Sequence, residues 1–260
     1  MSPIQINGIS HILLDIEGTT CPISFVSDTL FPYARRALPQ FLAAHAQRQD
    51  VSDLLAQLNR IWAEDRSEPA QRLRHAADAP ADRKANGNGA SPEWRVLVPF
   101  IELLIERDQK LTPLKDLQGM IWDEGYGSGD LVGPLFEDVA AALRRWRSMG
   151  LELASYSSGS IAAQKLIYKH SNAGDLSGLF GAWFDTHIGL KQEQESYLKL
   201  AAAMQASPGR ILFISDSYGE LLAAETAGLQ CLCSRRPANS LDARLGAFRM
   251  IENFNQIALV

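Results

Sequence analysis

The run Ile12-Leu13-Leu14-Asp15-Ile16-Glu17-Gly18-Thr19-Thr20 constrains this chain more than any other segment. An apolar stretch ends in one carboxylate, a second carboxylate follows two residues on, and Gly-Thr-Thr opens a loop. Along a strand, residues i and i+2 share a face. Asp15 and Glu17 can therefore enter one site where the strand gives way to a turn. Two carboxylates at the carboxyl end of a strand attract a cation and suit chemistry in which a nucleophile stands beside an acid. The plainer alternative is a strand exit whose carboxylates are simply solvated.

Three further strand signals follow. Leu151 to Ser157 leads into Ser-Gly-Ser, Ile211 to Ser215 leads into Asp216, and Gln230 to Cys233 leads into Ser-Arg-Arg-Pro. Helical patterns separate them. Leu135 to Met149 repeats apolar residues at Phe136, Val139, Leu143 and Trp146, with Gly150 as a C-terminal stop, and Gly219 to Ala227 is stopped by Gly228. Strands alternating with helices of this length predict parallel β-α-β units covered on both faces. The expected class is α/β, a Rossmann-like parallel sheet, with the ligand site beyond the carboxyl ends of its strands. Asp15, Ser157 and Asp216 each stand at such an end.

Residues 22–130 follow another pattern. Val51, Leu54, Leu55, Leu58, Ile61 and Trp62 form a helical stripe capped by Ser52. Trp94 to Glu106 is a second apolar helix, and Thr112-Pro113 starts a third with proline in its first turn. Asp78 to Pro92, rich in Ala, Asn, Gly and Pro, is expected to be a mobile loop. With no strand signal here, residues 22–130 are expected to be an inserted all-helical cap domain. Residues 1–21 and 131–260 form the α/β core, with hinges near Thr20–Ser24 and Tyr126–Gly133. The insert springs from the carboxylate loop, which suits a lid over the strand ends, although stability alone is the simpler role.

The formal net charge is −5 and no basic stripe stands out, so nucleic acid is not an expected partner. An anionic substrate must then be held by local cations and a metal. Cys21, Cys231 and Cys233 are odd in number and lack C-x-x-C spacing, which argues against disulfides and a zinc site. No basic-then-apolar leader begins the sequence and no apolar run is long enough for a membrane span. A cytoplasmic protein without membrane partners, acting as a monomer, is the expectation. The histidines, His11, His45, His75, His170 and His187, have no ligand spacing.

Asp15 and Glu17, Ser157, Lys191, and Asp216 with Glu220 are the residue types that phosphoryl transfer needs. A carboxylate can attack phosphorus and form an acyl phosphate. A hydroxyl and an ammonium can hold the equatorial oxygens. A hard divalent cation, magnesium first among them, takes a few carboxylates together with phosphate and waters.

In this arrangement the chain resembles the haloacid dehalogenase superfamily. The four motifs stand in order: Asp15-Ile16-Glu17-Gly18-Thr19 after an apolar strand, a strand ending in Ser157, Lys191, and a strand followed by Asp216 and Glu220. The helical insert falls where that superfamily places its first cap. Most phosphatases there carry Asp at the second acidic position, and the dehalogenases proper carry no acid there. Glu17 thus departs from the common pattern and argues against dehalogenation.

A narrower resemblance accounts for it. The stretch from Asp15 to Val26, Tyr156-Ser157-Ser158-Gly159-Ser160 followed by Ala163 to Leu166, and Phe184-Asp185-Thr186 with Gly189, Lys191, Glu193, Glu195, Ser196 and Tyr197 are similar to the enolase-phosphatase family of methionine salvage, where Glu is the rule. That resemblance implies magnesium-dependent enolisation and dephosphorylation of 2,3-diketo-5-methylthiopentyl 1-phosphate to an acireductone. It implies Asp15 as nucleophile and metal ligand, and Glu17 as acid–base group whose backbone carbonyl also binds the metal. It further implies Ser157 and Ser158 as substrate contacts, Lys191 as the phosphate-binding lysine, and Asp216 as the remaining protein ligand of the metal. Around Lys191 the pattern differs: family members carry a histidine or another polar residue where this chain has Leu190, and a lysine near His187.

Simpler alternatives stand beside these roles. Lys191 could be a solvated loop lysine, and Ser158 and Ser160 could cap the next helix. Glu220 could orient Lys191 or a metal-bound water, or only favour a helix start. A phosphatase of the same fold acting on another small phosphate ester, and a non-catalytic binding module, are the competing functions.

Overall fold

The computed structural model describes residues 3–78, 93–237, 239 and 242–260. They fall into two compact units, Met1–Ser27 with Tyr126–Val260, and Asp28–Gly125. In chain order the elements are β1 (Ile4–Ile6), β2 (His11–Leu14), α1 (Phe31–His45), α2 (Gln49–Glu64), α3 (Glu68–Asp78), α4 (Trp94–Glu106), α5 (Thr112–Ser128) and α6 (Val139–Ser148). There follow β3 (Glu152–Tyr156), α7 (Ile161–Lys169), β4 (Phe180–Phe184), α8 (Gln194–Ala203), β5 (Ile211–Ser215), α9 (Tyr218–Thr226), β6 (Gln230–Ser234), β7 (Met250–Ile251) and β8 (Ile257–Leu259). No helix among the described residues is long and apolar enough to cross a membrane.

The first unit is built on a six-stranded, all-parallel sheet in the order β4-β3-β2-β5-β6-β7, with β1 and β8 paired separately. Ile12, Leu13 and Leu14 are all 0% exposed. That is why β2 is apolar without alternation: a central parallel strand is covered on both faces. Leu13, Tyr156, Tyr197, Phe213 and Leu221 pack in one core cluster, which joins β2, β3 and β5 to α8 and α9. From α6, Trp146 is fully buried and its ring lies 5.1 Å from that of Phe254.

The chain runs outward through β2, β3 and β4, then crosses back to place β5 on the other side of β2. The strand order therefore reverses between β2 and β5, the kind of switch point beyond whose carboxyl ends open α/β sheets bind ligands. Leu14 is in register with Ser155 of β3 and Ile214 of β5. The residues following these three strands accordingly emerge side by side.

The second unit's described residues form helices joined by short turns. Trp62 of α2 stacks on Phe100 of α4 at 5.4 Å, and Trp122 Nε1 donates to the Leu30 carbonyl at 2.9 Å. Here α4 and the start of α5 fall where the periodicity and Thr112-Pro113 place them.

Several local expectations are corrected. Ser52 is no cap: α2 begins at Gln49, and the Asp50 carboxylate accepts the Val51 N–H at 2.9 Å in its first turn. The helix expected from Leu135 begins only at Val139, because Phe136 donates its N–H to the Thr20 carbonyl at 3.0 Å and so belongs to the loop packing. The glycine-rich stretch after Tyr126 is helical as far as Ser128. Beyond Asp78, the loop expected up to Pro92 lies outside the described residues.

Candidate active site

The loop after β2 is tied tightly to itself. The Ile16 carbonyl accepts the N–H groups of Thr19 (3.1 Å), Thr20 (2.8 Å) and Cys21 (3.0 Å), and the Gly18 N–H donates to the Cys21 carbonyl at 2.8 Å. Asp15 is anchored to the neighbouring strand by its own N–H, 3.0 Å from the Ile214 carbonyl. Gly18 has φ +72°, a left-handed conformation that a side chain disfavours, and a Cβ there would stand 2.1 Å from Asp216 Oδ2. Only glycine lets the carboxylate of Asp216 approach the loop so closely. Glu17 is half-buried at the same turn.

Lys191 reaches this loop from the segment after β4. Its Nζ lies 2.6 Å from Asp15 Oδ1 and 2.8 Å from Glu220 Oε2, with only 10% of the side chain exposed. Three hydroxyls fix the segment that carries it. Tyr156 donates to the Gly189 carbonyl (2.8 Å), Ser196 to the Leu190 carbonyl (2.8 Å) and Tyr197 to the Lys191 carbonyl (2.7 Å). Gly189, at φ +150°, leaves room for Ser196 Oγ, which would stand 2.1 Å from a Cβ. Lys191 is thus a buried, positioned cation and not a solvated loop lysine. Glu220, whose part the sequence left open, pairs with Lys191 and accepts the Ser215 hydroxyl at 2.9 Å.

The electrostatics follow from this packing. Asp15, Asp216 and Glu220 bring three carboxylates around one ammonium. Burial raises the pKa of Asp216, and the charges of Asp15 and Glu220 raise it further, with Lys191 offsetting only part of the shift. Burial and then Asp15 raise Glu220, opposed by Lys191 and Ser215. Burial works against the charge of Lys191, but Asp15 and Glu220 outweigh it and hold its pKa above the ordinary lysine range.

A divalent cation would match the excess negative charge. Among the described residues no group of three or more His, Cys, Asp or Glu side chains is arranged to hold a metal. Two carboxylates, Asp15 and Asp216, could serve as a smaller donor set, since the charge of Asp15 bears directly on buried Asp216. Such a sparse oxygen set fits magnesium, which keeps several waters and takes few protein ligands.

The two serines stand at the exit of β3 and differ in setting. Ser157 is buried, donates its N–H to the Phe184 carbonyl (3.2 Å) and accepts the Gly159 N–H on its hydroxyl (3.1 Å). Ser158 is exposed. Ser160 caps α7 by accepting the Ala163 N–H at 3.3 Å. Cys21 is buried, and burial, then Glu17 and Asp15, push its thiol well above the ordinary range, which fits packing and not reactivity.

Two residues that the sequence offers only as parts of motifs have contacts of their own. Gln164 Nε2 donates to the carbonyls of Gly159 (3.0 Å) and Phe184 (2.7 Å), joining the loop after β3 to the end of β4. A polar residue amid the buried Ala163, Leu166, Ile167 and Tyr168 of α7 was the available signal. Thr19 directs its hydroxyl toward Asp15 Oδ2 at 3.4 Å, a long contact.

Lys191→Met, close in length and uncharged, removes the balancing cation from the buried carboxylates. Breaking a buried pair from one side typically costs about 3–5 kcal/mol. Urea unfolding at neutral pH is expected to show a loss of that order. An unchanged midpoint would mean that the carboxylates do not depend on Lys191.

Comparison with known proteins bears on the chain as a whole. A family model described as haloacid dehalogenase-like hydrolase matches residues 9–228. The chain is 49% identical over 236 residues to an "Enolase-phosphatase E1" from Synechococcus sp. (strain RCC307), covering 91% of this chain and 89% of the relative. It is 42% identical over 250 residues to the protein of the same name from Drosophila melanogaster, covering 95% and 91%. Among solved structures it is similar to the UTR4 protein of Saccharomyces cerevisiae, with a TM-score of 0.73, 30% identity, and coverage of 94% of this chain and 98% of that one.

Proposed function

The chain belongs to the haloacid dehalogenase-like hydrolases and, within them, to the enolase-phosphatase E1 family, and we propose that it enolises and dephosphorylates 2,3-diketo-5-methylthiopentyl 1-phosphate to the acireductone of methionine salvage. The observation that carries the phosphoryl-transfer half is the buried contact of Lys191 Nζ with Asp15 Oδ1 at 2.6 Å, beside Asp216 and Glu220. The two relatives named above, 49% and 42% identical over most of their length, support the enolase half by their name, and the substrate is the one the family resemblance implies.

In this reading Asp15, Asp216 and the Glu17 carbonyl would hold magnesium, which when bound would neutralise phosphate charge. Asp15 attacks phosphorus through a carboxylate oxygen, the bridging P–O bond breaks, and an acyl phosphate forms on Asp15. The leaving enol oxygen takes a proton, and water then cleaves the acyl phosphate to free the carboxylate and inorganic phosphate. Lys191 opposes the charge on the phosphoryl oxygens throughout. Ser157 and Ser158 bind the substrate at the exit of β3.

Enolisation precedes this. The carbon that bears the phosphate is also next to a carbonyl, so its proton is acidic: Glu17 is the base that removes it, the C–H electron pair becomes the C=C bond, and the former carbonyl oxygen takes a proton from solvent to become the enol hydroxyl. The helical insert, residues 22–130, is the cap domain of this proposal. The enzyme acts on a small phosphate, in the cytoplasm and as a monomer.

The test is to incubate the protein with the diketo phosphate and magnesium while following enediol absorbance together with phosphate release. Both signals are expected. Phosphate release from other esters without any enediol signal from the diketone would instead support a plain phosphatase. No phosphate release from any ester would leave the binding module.

A further inference from the structure

We propose that Ser234, Arg236 and Asn239, in the segment that leaves β6, form a clamp that positions the nucleophile loop for phosphoryl transfer. The inference rests on the phosphatase reading of the Asp15 site. Two donors converge on the Gly18 carbonyl: Asn239 Nδ2 at 2.8 Å and Ser234 Oγ at 3.1 Å. The next carbonyl, that of Thr19, accepts from Arg236 Nε at 3.0 Å. Successive peptide units of the loop are therefore gripped from outside the loop, directly after Glu17.

Arg236 is itself fixed on every side. Its Nη1 and Nη2 lie 2.8 and 3.0 Å from the two Asp138 oxygens, and Nη1 also donates to the Glu252 carbonyl at 3.0 Å. The guanidinium lies 4.5 Å from the Phe136 ring centre and 4.8 Å from that of Phe254, and the residue is only 4% exposed. Asp138 Oδ2 accepts the Phe254 N–H at 2.6 Å, so the partner of Arg236 is anchored too. A bidentate guanidinium held between rings is a rigid reference against which a loop can be set.

What the clamp sets is the orientation of the Gly18–Thr19 peptide. Asp216 Oδ2 packs against the Cα side of Gly18, and the Thr19 hydroxyl leans toward Asp15 Oδ2. Rotating that peptide would move both the wall on which Asp216 rests and the hydroxyl beside the nucleophile. Small displacements of a reacting carboxylate are costly: about 1 Å can lower the rate roughly a hundredfold. These are positioning residues, since none of the three touches the reacting atoms.

The two donors on the Gly18 carbonyl give the test a distinctive form. A carbonyl with two lone pairs keeps its place while one donor remains. Ser234→Ala and Asn239→Ala are each expected to lower kcat only a few-fold. The double variant is expected to lower kcat roughly thirtyfold or more, well beyond the product of the single effects. In all three KM is expected to stay within about threefold, since the phosphate cation is untouched. The assay is hydrolysis of an aryl phosphate at saturating magnesium, run beside thermal unfolding. A double variant that unfolds cooperatively and whose kcat is only the product of the single effects would overturn the clamp.

Arg236→Lys keeps the charge against Asp138 and loses the fork, so it tests the same idea should the double variant not fold. Its kcat is expected to fall at least tenfold at unchanged KM, and a wild-type kcat would overturn the proposal. Absence of turnover in the wild type would instead overturn the phosphatase reading.

Discussion

Asp15→Asn is expected to abolish phosphate release, by about ten-thousandfold or more, while the protein still unfolds cooperatively near the wild-type temperature. An amide oxygen is a poor nucleophile toward phosphorus and a poorer ligand for a hard cation than a carboxylate oxygen. The shape is nearly unchanged, and the backbone anchor of Asp15 on the Ile214 carbonyl does not involve the side chain. Lys191 loses one of its two carboxylate partners but keeps Glu220 at 2.8 Å, so the buried ammonium is not left alone. The measurement is phosphate release at saturating magnesium, beside thermal unfolding. Appreciable turnover in the variant would remove Asp15 from the nucleophile role, and loss of cooperative unfolding would assign it a structural one.

How far the sequence disclosed all this depends on the range of each interaction. The central strands were legible because a parallel strand covered on both faces is an unbroken apolar run, as Ile12 to Leu14 and Ile211 to Ile214 are. The helix stops at Gly150 and Gly228 were legible because left-handed residues select glycine, and both have positive φ. Strand β4 was not legible as a strand: Gly181 interrupts Phe180 to Phe184, and three of its positions are only half-buried. The short β7 and β8 carry too few residues to show a period. Helix ends depart from the local pattern where a tertiary contact overrides it, as when Phe136 turns to the Thr20 carbonyl.

In the proposed site, the residues assigned a chemical role are those with a local signal in the sequence. Asp15, Glu17 and Asp216 stand at strand exits, and Lys191 lies in a motif. The residues that hold the backbone carbonyls of the loop have none. Arg236 reaches Thr19 across 217 residues of sequence, and Asn239 reaches Gly18 across 221. Nothing local marks an arginine or an asparagine as the partner of a distant carbonyl. Only the fold, by setting β6 on the far side of β5 from β2, brings its exit to the nucleophile loop.

Glu17→Asp is expected to separate the two halves of the reaction. The turn that carries Glu17 is held by three hydrogen bonds to the Ile16 carbonyl, so the Glu17 backbone stays in place and the shorter side chain draws its carboxyl back by about one C–C bond, roughly 1.5 Å. Phosphoryl transfer needs an acid near the leaving oxygen, and many phosphatases of this superfamily manage it with Asp. Enolisation needs a base at carbon, one bond further from phosphorus. Retreat of the carboxyl should therefore spare much of the hydrolysis of a simple phosphate ester and impair enolisation of the diketone. General acid–base contributions are typically about a hundredfold to ten-thousandfold, which separate assays resolve easily. The measurement is solvent deuterium exchange at the phosphate-bearing carbon, run beside phosphate release from a simple ester, for wild type and variant. Equal loss of both would confine Glu17 to the shared phosphoryl step, and the base for carbon would have to come from another residue. Exchange lost by a hundredfold or more, with ester hydrolysis within about tenfold of wild type, would make the extra methylene of Glu17 the feature that turns a phosphatase site into an enolising one.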